Sequence, residues 1–420
     1  MSTRFFWLLV VLFLAVVGLV ACGSHFSNSS DGLVIVPSGG SAVVQAFGFN
    51  LSNGKPSTIN TSPPITGTPN AVVIDPAGAF AYIATSTGIT PFAINSNGTL
   101  GAGGTTVTVT DLAPSPCTAT QLTQVMMTLD TAGKFLYVTT GATGGNVAVG
   151  GNCNPVNGGR VATFSVSGGT LTQTAISPPL TALQGPNLVA LAVTPLTFPA
   201  DNPASGANNS VCAGLTNTSN EYLYAADAQN NLVWELTVDS SGNLGTPTGN
   251  QSIVAGSVPA GIAVDSCNRY VYVSNKQTPT LNSYVICNAS PGSPCPSPAS
   301  QNGNLIPLGS TSLSGAGSQP TAIAVDPLAR YVFVVDSTAN KLFGFRISQA
   351  TGTIAALSPS SVSTDSVPVS LAIRSDGLWL FVTNFGSGTV SEYAITPASG
   401  TLTAGPSITT DNQPFGVAVK

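Results

Sequence analysis

Residues 320–336 read PTAIAVDPLARYVFVVD, and their pattern decides the fold. The heptad PTAIAVD mixes β-branched and small side chains, which suits a short strand at a crowded centre where bulky groups would collide. DPLA then supplies a turn, and the run after it places Tyr331 and Phe333 two residues apart, on one face of a second strand. Outward from this stretch, the chain repeats it. Related heptads are PNAVVID (69–75), QVMMTLD (124–130), PNLVALAV (186–193), PAGIAVD (259–265), PVSLAIR (368–374) and PFGVAVK (414–420). Second strands carry Phe80 and Tyr82, Phe135 and Tyr137, Tyr222 and Tyr224, Tyr270 and Tyr272, and Trp379 and Phe381. So many aromatic rows are expected to lie buried between sheets, because a ligand-stacking platform needs only one or two rings.

A third strand follows in TPFAINSNGTL, GRVATFSVSGGTL, LVWELTVDSSGNL, KLFGFRISQATGTI and TVSEYAITPASGTL, and in blade five in the interrupted LNSYVIC and QNGNL. Gly54, Gly98, Gly169, Gly242, Gly303, Gly352 and Gly400 are expected at hairpin turns with positive φ. A less regular fourth strand leads to the next heptad. Four short strands at a spacing of about 48 residues describe a propeller blade. The chain opens on LVIVPSG and VVQAFGFNLSNG, second and third strands with no first, while PFGVAVK is a first strand with no second. The reading is therefore all-β: a seven-bladed β-propeller over residues 32–420, with blade 1 completed by 414–420, so that the ring closes and leaves no open sheet edge.

The composition narrows the partners. Of 420 residues, 6% are charged, against roughly 25% in an ordinary domain. Hydrophobic residues reach 43%, so the surface is neutral and polar and the chain has the means to fold. The net charge is −5 with no Lys or Arg cluster, which excludes nucleic acid as a partner, since phosphate backbones need several cations.

Arg4 precedes seventeen uncharged residues, Phe5 to Ala21, and then Cys22. A membrane helix of that length sits at the lower limit for spanning a bilayer. Leu19, Val20, Ala21 and Cys22 resemble the lipobox of bacterial lipoproteins. That resemblance implies a signal peptide over 1–21, a lipid on Cys22, a tether over 22–31, and export to the cell envelope with the membrane as a partner. The other six cysteines suggest disulfides. Placing them on the blades pairs Cys117 with Cys153, Cys212 with Cys267, and Cys287 with Cys295. With no CxxC pair and a single histidine, His25, in the tether, no metal is expected, and no cofactor.

YVSN (272–275) and FVTN (381–384), each preceded by a heptad such as PAGIAVD, resemble the YVTN-repeat family of seven-bladed propellers. At full length, with its insertions, the chain looks like the lactonase family, which includes 6-phosphogluconolactonase. The resemblance implies hydrolysis at a central channel by His, Arg and Glu. This domain has no His, so no acid or base of that type carries over.

Second strands end in Asp227, Asn275, Asp336 and Asn384, with Lys276 and Lys341 close by and Arg160 following the Gly-rich insertion 141–159. Either the Asp and Asn side chains cap turns, or they ring the channel mouth. In the second case Asp227, Asp336 and Lys276 are the catalytic candidates, and Asn275, Asn384, Lys341 and Arg160 the ligand contacts. Asp75, Asp130, Asp265 and Asp326 are expected to be structural, in turns of the opposite face. The preferred function is a lipid-anchored propeller that binds a small molecule, glycan or partner protein at the channel mouth. The alternatives are a lactone hydrolase and a structural surface protein.

Overall fold

The computed structural model describes residues 31–51, 54, 56–61, 65–109, 126–139, 146–149, 152–155, 159–178, 180, 186–195, 212, 221–246, 252–287, 303–313 and 319–420. They form seven antiparallel blades in a ring, and no helix occurs among them. Blade 6 shows the unit. Pro320–Val325 pairs with Tyr331–Asp336, that strand with Lys341–Ile347, and that in turn with Ile354–Ser363. Blade 5 repeats it in Pro259–Val264, Tyr270–Asn275, Thr280–Ile286 and Leu305–Ser312, so the interruption after Ile286 leaves the strand order intact. In blades 4 and 7 the outer position is split between two short pieces, Leu244–Gly245 with Ser252–Val254 and Leu402–Ala404 with Ile408–Thr409.

Closure follows the sequence reading. Ala418–Val419 pairs antiparallel with Asp31–Ser38, joining Val34 to Val419 and Ile35 to Ala418, and Val43–Asn50 and Pro56–Thr61 finish the blade. The backbone N–H of Leu33 donates to the Lys420 carbonyl and the Lys420 N–H donates to the Leu33 carbonyl.

The core lies between the blades. Seven hydrophobic clusters each join one blade to the next, from Leu33, Ala46, Ile83 and Phe92 between blades 1 and 2 to Phe47, Phe49, Phe381 and Val390 between blades 7 and 1. The second-strand rings Tyr82, Tyr137, Tyr224, Tyr272, Phe333 and Phe381 are wholly buried there, as a core rather than a stacking platform. The hairpin glycines all have positive φ, from 67° at Gly54 to 92° at Gly303. Six of them serve a second purpose. Gly54, Gly169, Gly242, Gly303, Gly352 and Gly400 face Trp379, Phe80, Phe135, Tyr222, Tyr270 and Tyr331 of the preceding blade, and a Cβ at any of them would run into the ring. Each of these blades is thus keyed to its neighbour by a flat ring seated on glycine backbone. Two tyrosines add a polar tie, the Tyr224 hydroxyl donating to the Gly303 carbonyl at 2.7 Å and that of Tyr272 to Gly352 at 3.0 Å.

Cys212 and Cys267 form a disulfide that joins the first-to-second insertion of blade 4 to the matching turn of blade 5. Cys287 is also disulfide-bonded. Cys117 and Cys295 lie outside the described residues, as do the segment 1–30, Cys22 and His25, and of Cys153 only the backbone is described, in the strand Asn152–Pro155.

Candidate ligand site at the channel mouth

The first strands of five blades carry the same irregularity. Their pairing slips by one residue between Pro69 and Ala71, Leu188 and Ala190, Pro259 and Gly261, Pro320 and Ala322, and Pro368 and Ser370. In four of these blades the residue before the bulge is a heptad proline, which has no N–H to give to the ladder, so the strand tolerates a bulge beside it; in blade 4 it is Leu188. A bulge leaves one residue unpaired and redirects its side chain. The bulged residues are Asn70, Val189, Ala260, Thr321 and Val369. All five line a cavity of about 680 Å³ on the ring axis, with Phe415 in the corresponding place in blade 1. The wall below them is Ala71, Val72, Met127, Ala190, Leu191, Ile262, Ile323, Leu371 and Val417.

Around the rim stand residues that follow the second strands, Ser86, Ala228 and Lys276. Lys276 is the only charged side chain among the described residues that line this cavity. Its backbone N–H donates to the Val258 carbonyl, which fixes the turn, and its ammonium makes no hydrogen bond or ion pair with any described residue. Of the polar lining groups, Asn70 has a buried Oδ1 with no hydrogen-bond partner among the described residues, whereas Thr321 and Ser86 are engaged. Thr321 donates to the Pro368 carbonyl, and the Ser86 hydroxyl accepts the Thr68 N–H. Met126 and Phe415 are unusual for large apolar side chains in being 37% exposed, and Phe385 packs on Phe415 with ring centres 4.9 Å apart. A smaller cavity of about 370 Å³ shares Val72 and Val417 with the first and opens toward the first-to-second turns, with Asp130 on its wall.

The other residues singled out in the sequence are elsewhere. Asp227, Asn275, Asp336 and Asn384 are fully buried and do not line the cavity. Asp227 accepts backbone N–H groups of Asn187, Gln229 and Asn230 on Oδ1 and the indole N–H of Trp234 on Oδ2. Asp336 accepts from Thr338 and Ala339. Asn275 and Asn384 donate across their turns to Thr280 and to Thr389 and Ser391. This is turn chemistry: the Asp carboxylates accept amides that the reversal leaves unpaired, and the Asn side-chain amides donate to oxygens across it. Of the two readings open in the sequence, it is the turn-capping one rather than the polar ring. Lys341 begins the third strand of blade 6 and Arg160 lies just before the third strand of blade 3, both half-buried and both off the cavity wall. Lys276 alone of the candidates is at the site.

The opposite turns hold the other aspartates as expected. One oxygen of Asp75, Asp130, Asp265 and Asp326 accepts two consecutive backbone N–H groups, and in blades 5 and 6 the second oxygen pairs with Arg269 and Arg330. Three buried acids escaped the sequence reading. Burial pushes Glu221 and Glu235 up to about 8 and Glu392 up to about 7. Glu235 accepts the Leu305 N–H from the next blade, while both oxygens of Glu392 lie buried without a hydrogen-bond donor, facing Gly54. None of the three lines the cavity.

Residues 299–418 match the family described as lactonase, 7-bladed beta-propeller. The fold is that of a lactonase-like propeller. No curated protein matches the chain. Among solved structures, a putative 6-phosphogluconolactonase from Bacteroides fragilis superposes with a TM-score of 0.66 at 15% identity, covering 94% of this chain and 99% of its own. The periplasmic gluconolactonase of Pseudomonas aeruginosa gives 0.63 at 16%, covering 93% and 99%. A Lactobacillus plantarum protein gives 0.67 at 15%, covering 93% and 99%. Likeness at this identity concerns the architecture of this lactonase-like propeller and leaves its chemistry to its own residues.

Proposed function

We propose that this chain is an envelope-anchored binding propeller that holds a small molecule at the channel mouth. The observation that carries the reading is the character of the cavity: a volume within the range of about 300–1,000 Å³ usual for ligand pockets, apolar walls, one ammonium, and no carboxylate or imidazole among the described lining residues. Opening a lactone requires a group that activates water within hydrogen-bond reach of the carbonyl. Asp227 and Asp336 are spent on turns, and the buried glutamates point between blades. Export is supported by the Cys212–Cys267 disulfide, since such bonds persist in oxidising compartments. Anchoring rests on the lipobox-like LVAC at 19–22.

Lactone hydrolysis is the second reading, favoured by the lactonase-family match of residues 299–418. Assaying the purified full-length protein against glucono-1,5-lactone and its 6-phosphate decides between the two. The binding reading expects background rates. Turnover that disappears in Lys276→Ala would replace it with the hydrolase.

A further inference from the structure

We propose that the mouth cavity selects an apolar molecule carrying one negative charge, such as an aromatic or medium-chain carboxylate, with Lys276 as the anchor for its anionic end. This rests on the reading of the cavity as a ligand site and adds what the ligand must be.

Three features converge. Val189, Ala260, Val369 and Phe415 bring hydrocarbon to the upper wall at bulge positions, and the wall below them is aliphatic, so the favourable contribution to binding is removal of apolar surface from water. The exposed faces of Met126 and Phe415 extend that surface to the rim. Lys276 then stands beside hydrocarbon with no carboxylate bound to it. An ammonium so placed contributes a charge-assisted hydrogen bond to a carboxylate and nothing comparable to a neutral group. A sugar would need many free donors and acceptors, and the described wall offers few: the Asn70 Oδ1 is unpartnered, while Thr321 already donates to Pro368 and Ser86 already accepts from Thr68. A phosphorylated ligand would call for several cations around its dianion, and one is present among the described lining residues.

The test compares naphthalene-2-carboxylate with its neutral carboxamide by calorimetric titration of the purified full-length protein and of Lys276→Met. The carboxylate is expected to bind about tenfold more tightly than the amide to the native chain. In Lys276→Met the two should bind alike, at the affinity of the amide. Increasing salt should weaken only the carboxylate. Equal binding of both to the native chain would overturn the proposed selectivity while leaving the cavity as a ligand site. Binding of neither would overturn both. Tighter binding of 6-phosphogluconate than of the carboxylate would overturn the assignment to a single charge.

Discussion

Gly54 of blade 1 lies against the indole of Trp379 in blade 7, so close that a Cβ would sit 2.9 Å from Cζ3. The same seating of a ring on a glycine joins other neighbouring blades, and here it serves the seam. The Gly54 φ of 67° belongs to the left-handed region, where a side chain is strained whatever the space around it. Phe49 meets both Trp379 and Phe381 edge-on beside it, with ring centres 6.0 and 4.8 Å away. The seam is therefore packed as well as hydrogen-bonded.

Gly54→Ala is expected to destabilise the protein by about 2 kcal/mol or more, combining backbone strain with displacement of the Glu392 carboxyl, the nearest group, and of the indole. Gly168→Ala is the control, because its φ is also positive, at 55°, but nothing lies within 4 Å of its Cβ position. Urea unfolding of both separates the terms. Equal losses would mean that the ring packing contributes nothing.

Removing Pro414 to Lys420 takes away the innermost strand of blade 1 and bares the edge of Asp31–Ser38. A broad, early melt by circular dichroism is expected in place of one cooperative transition. An unchanged melt would contradict closure by this strand.

Stability should fall as the pH rises from about 4.5 to about 8. Glu221, Glu235 and Glu392 hold their protons in the folded chain up to about 8, 8 and 7, against a reference of 4.5. Between these values the native state binds more protons than the unfolded one, so raising the pH favours unfolding, and the full penalty is in place above the folded values. Melting temperatures across this range check the slope. Glu392→Gln should flatten it between 4.5 and 7, whereas an unaltered slope would remove Glu392 from the account.

Cleaving the Cys212–Cys267 bond, which spans 55 residues, is expected to cost about 2–4 kcal/mol through the freedom regained by the unfolded chain. Cys212→Ser with Cys267→Ser should melt lower than the parent under oxidising conditions and alike under reducing ones. A parent melt indifferent to reductant would argue against it.

The ring was legible because its signals are periodic. Seven heptads, paired aromatics and hairpin glycines each recur, so one irregular unit such as blade 5 does not obscure the count. Head and tail declared themselves as the two halves of one blade. The site was harder to read because its decisive positions do not share a residue type. Asn70, Val189, Ala260, Thr321, Val369 and Phe415 have in common only a place at the start of the first strand, beside the first residue of the heptad except in blade 4, where it follows Leu188. In the alternating pattern of a strand nothing marks them as turned toward the axis, and only the slipped register does so. Asp227 and Asp336 left two readings open for the opposite reason. Acidic residues at one recurring place look chemical, yet a reversal with unpaired amides demands the same side chain. Glu235 and Glu392 carried no signal, since the third strands of other blades place Ser283 and Gly344 at their positions.

The pairing of Ile35 with Ala418 also sets an order of events. During translation the first of these strands leaves the ribosome well before its mate, an interval on the order of half a minute for strands so far apart in the chain. Until then the inner edge of the head strand stays unpaired, although its other edge is joined to Val43–Asn50, and that open edge can be captured by another nascent copy. A polypeptide wired in this way gains from being kept unfolded until both strands have been made.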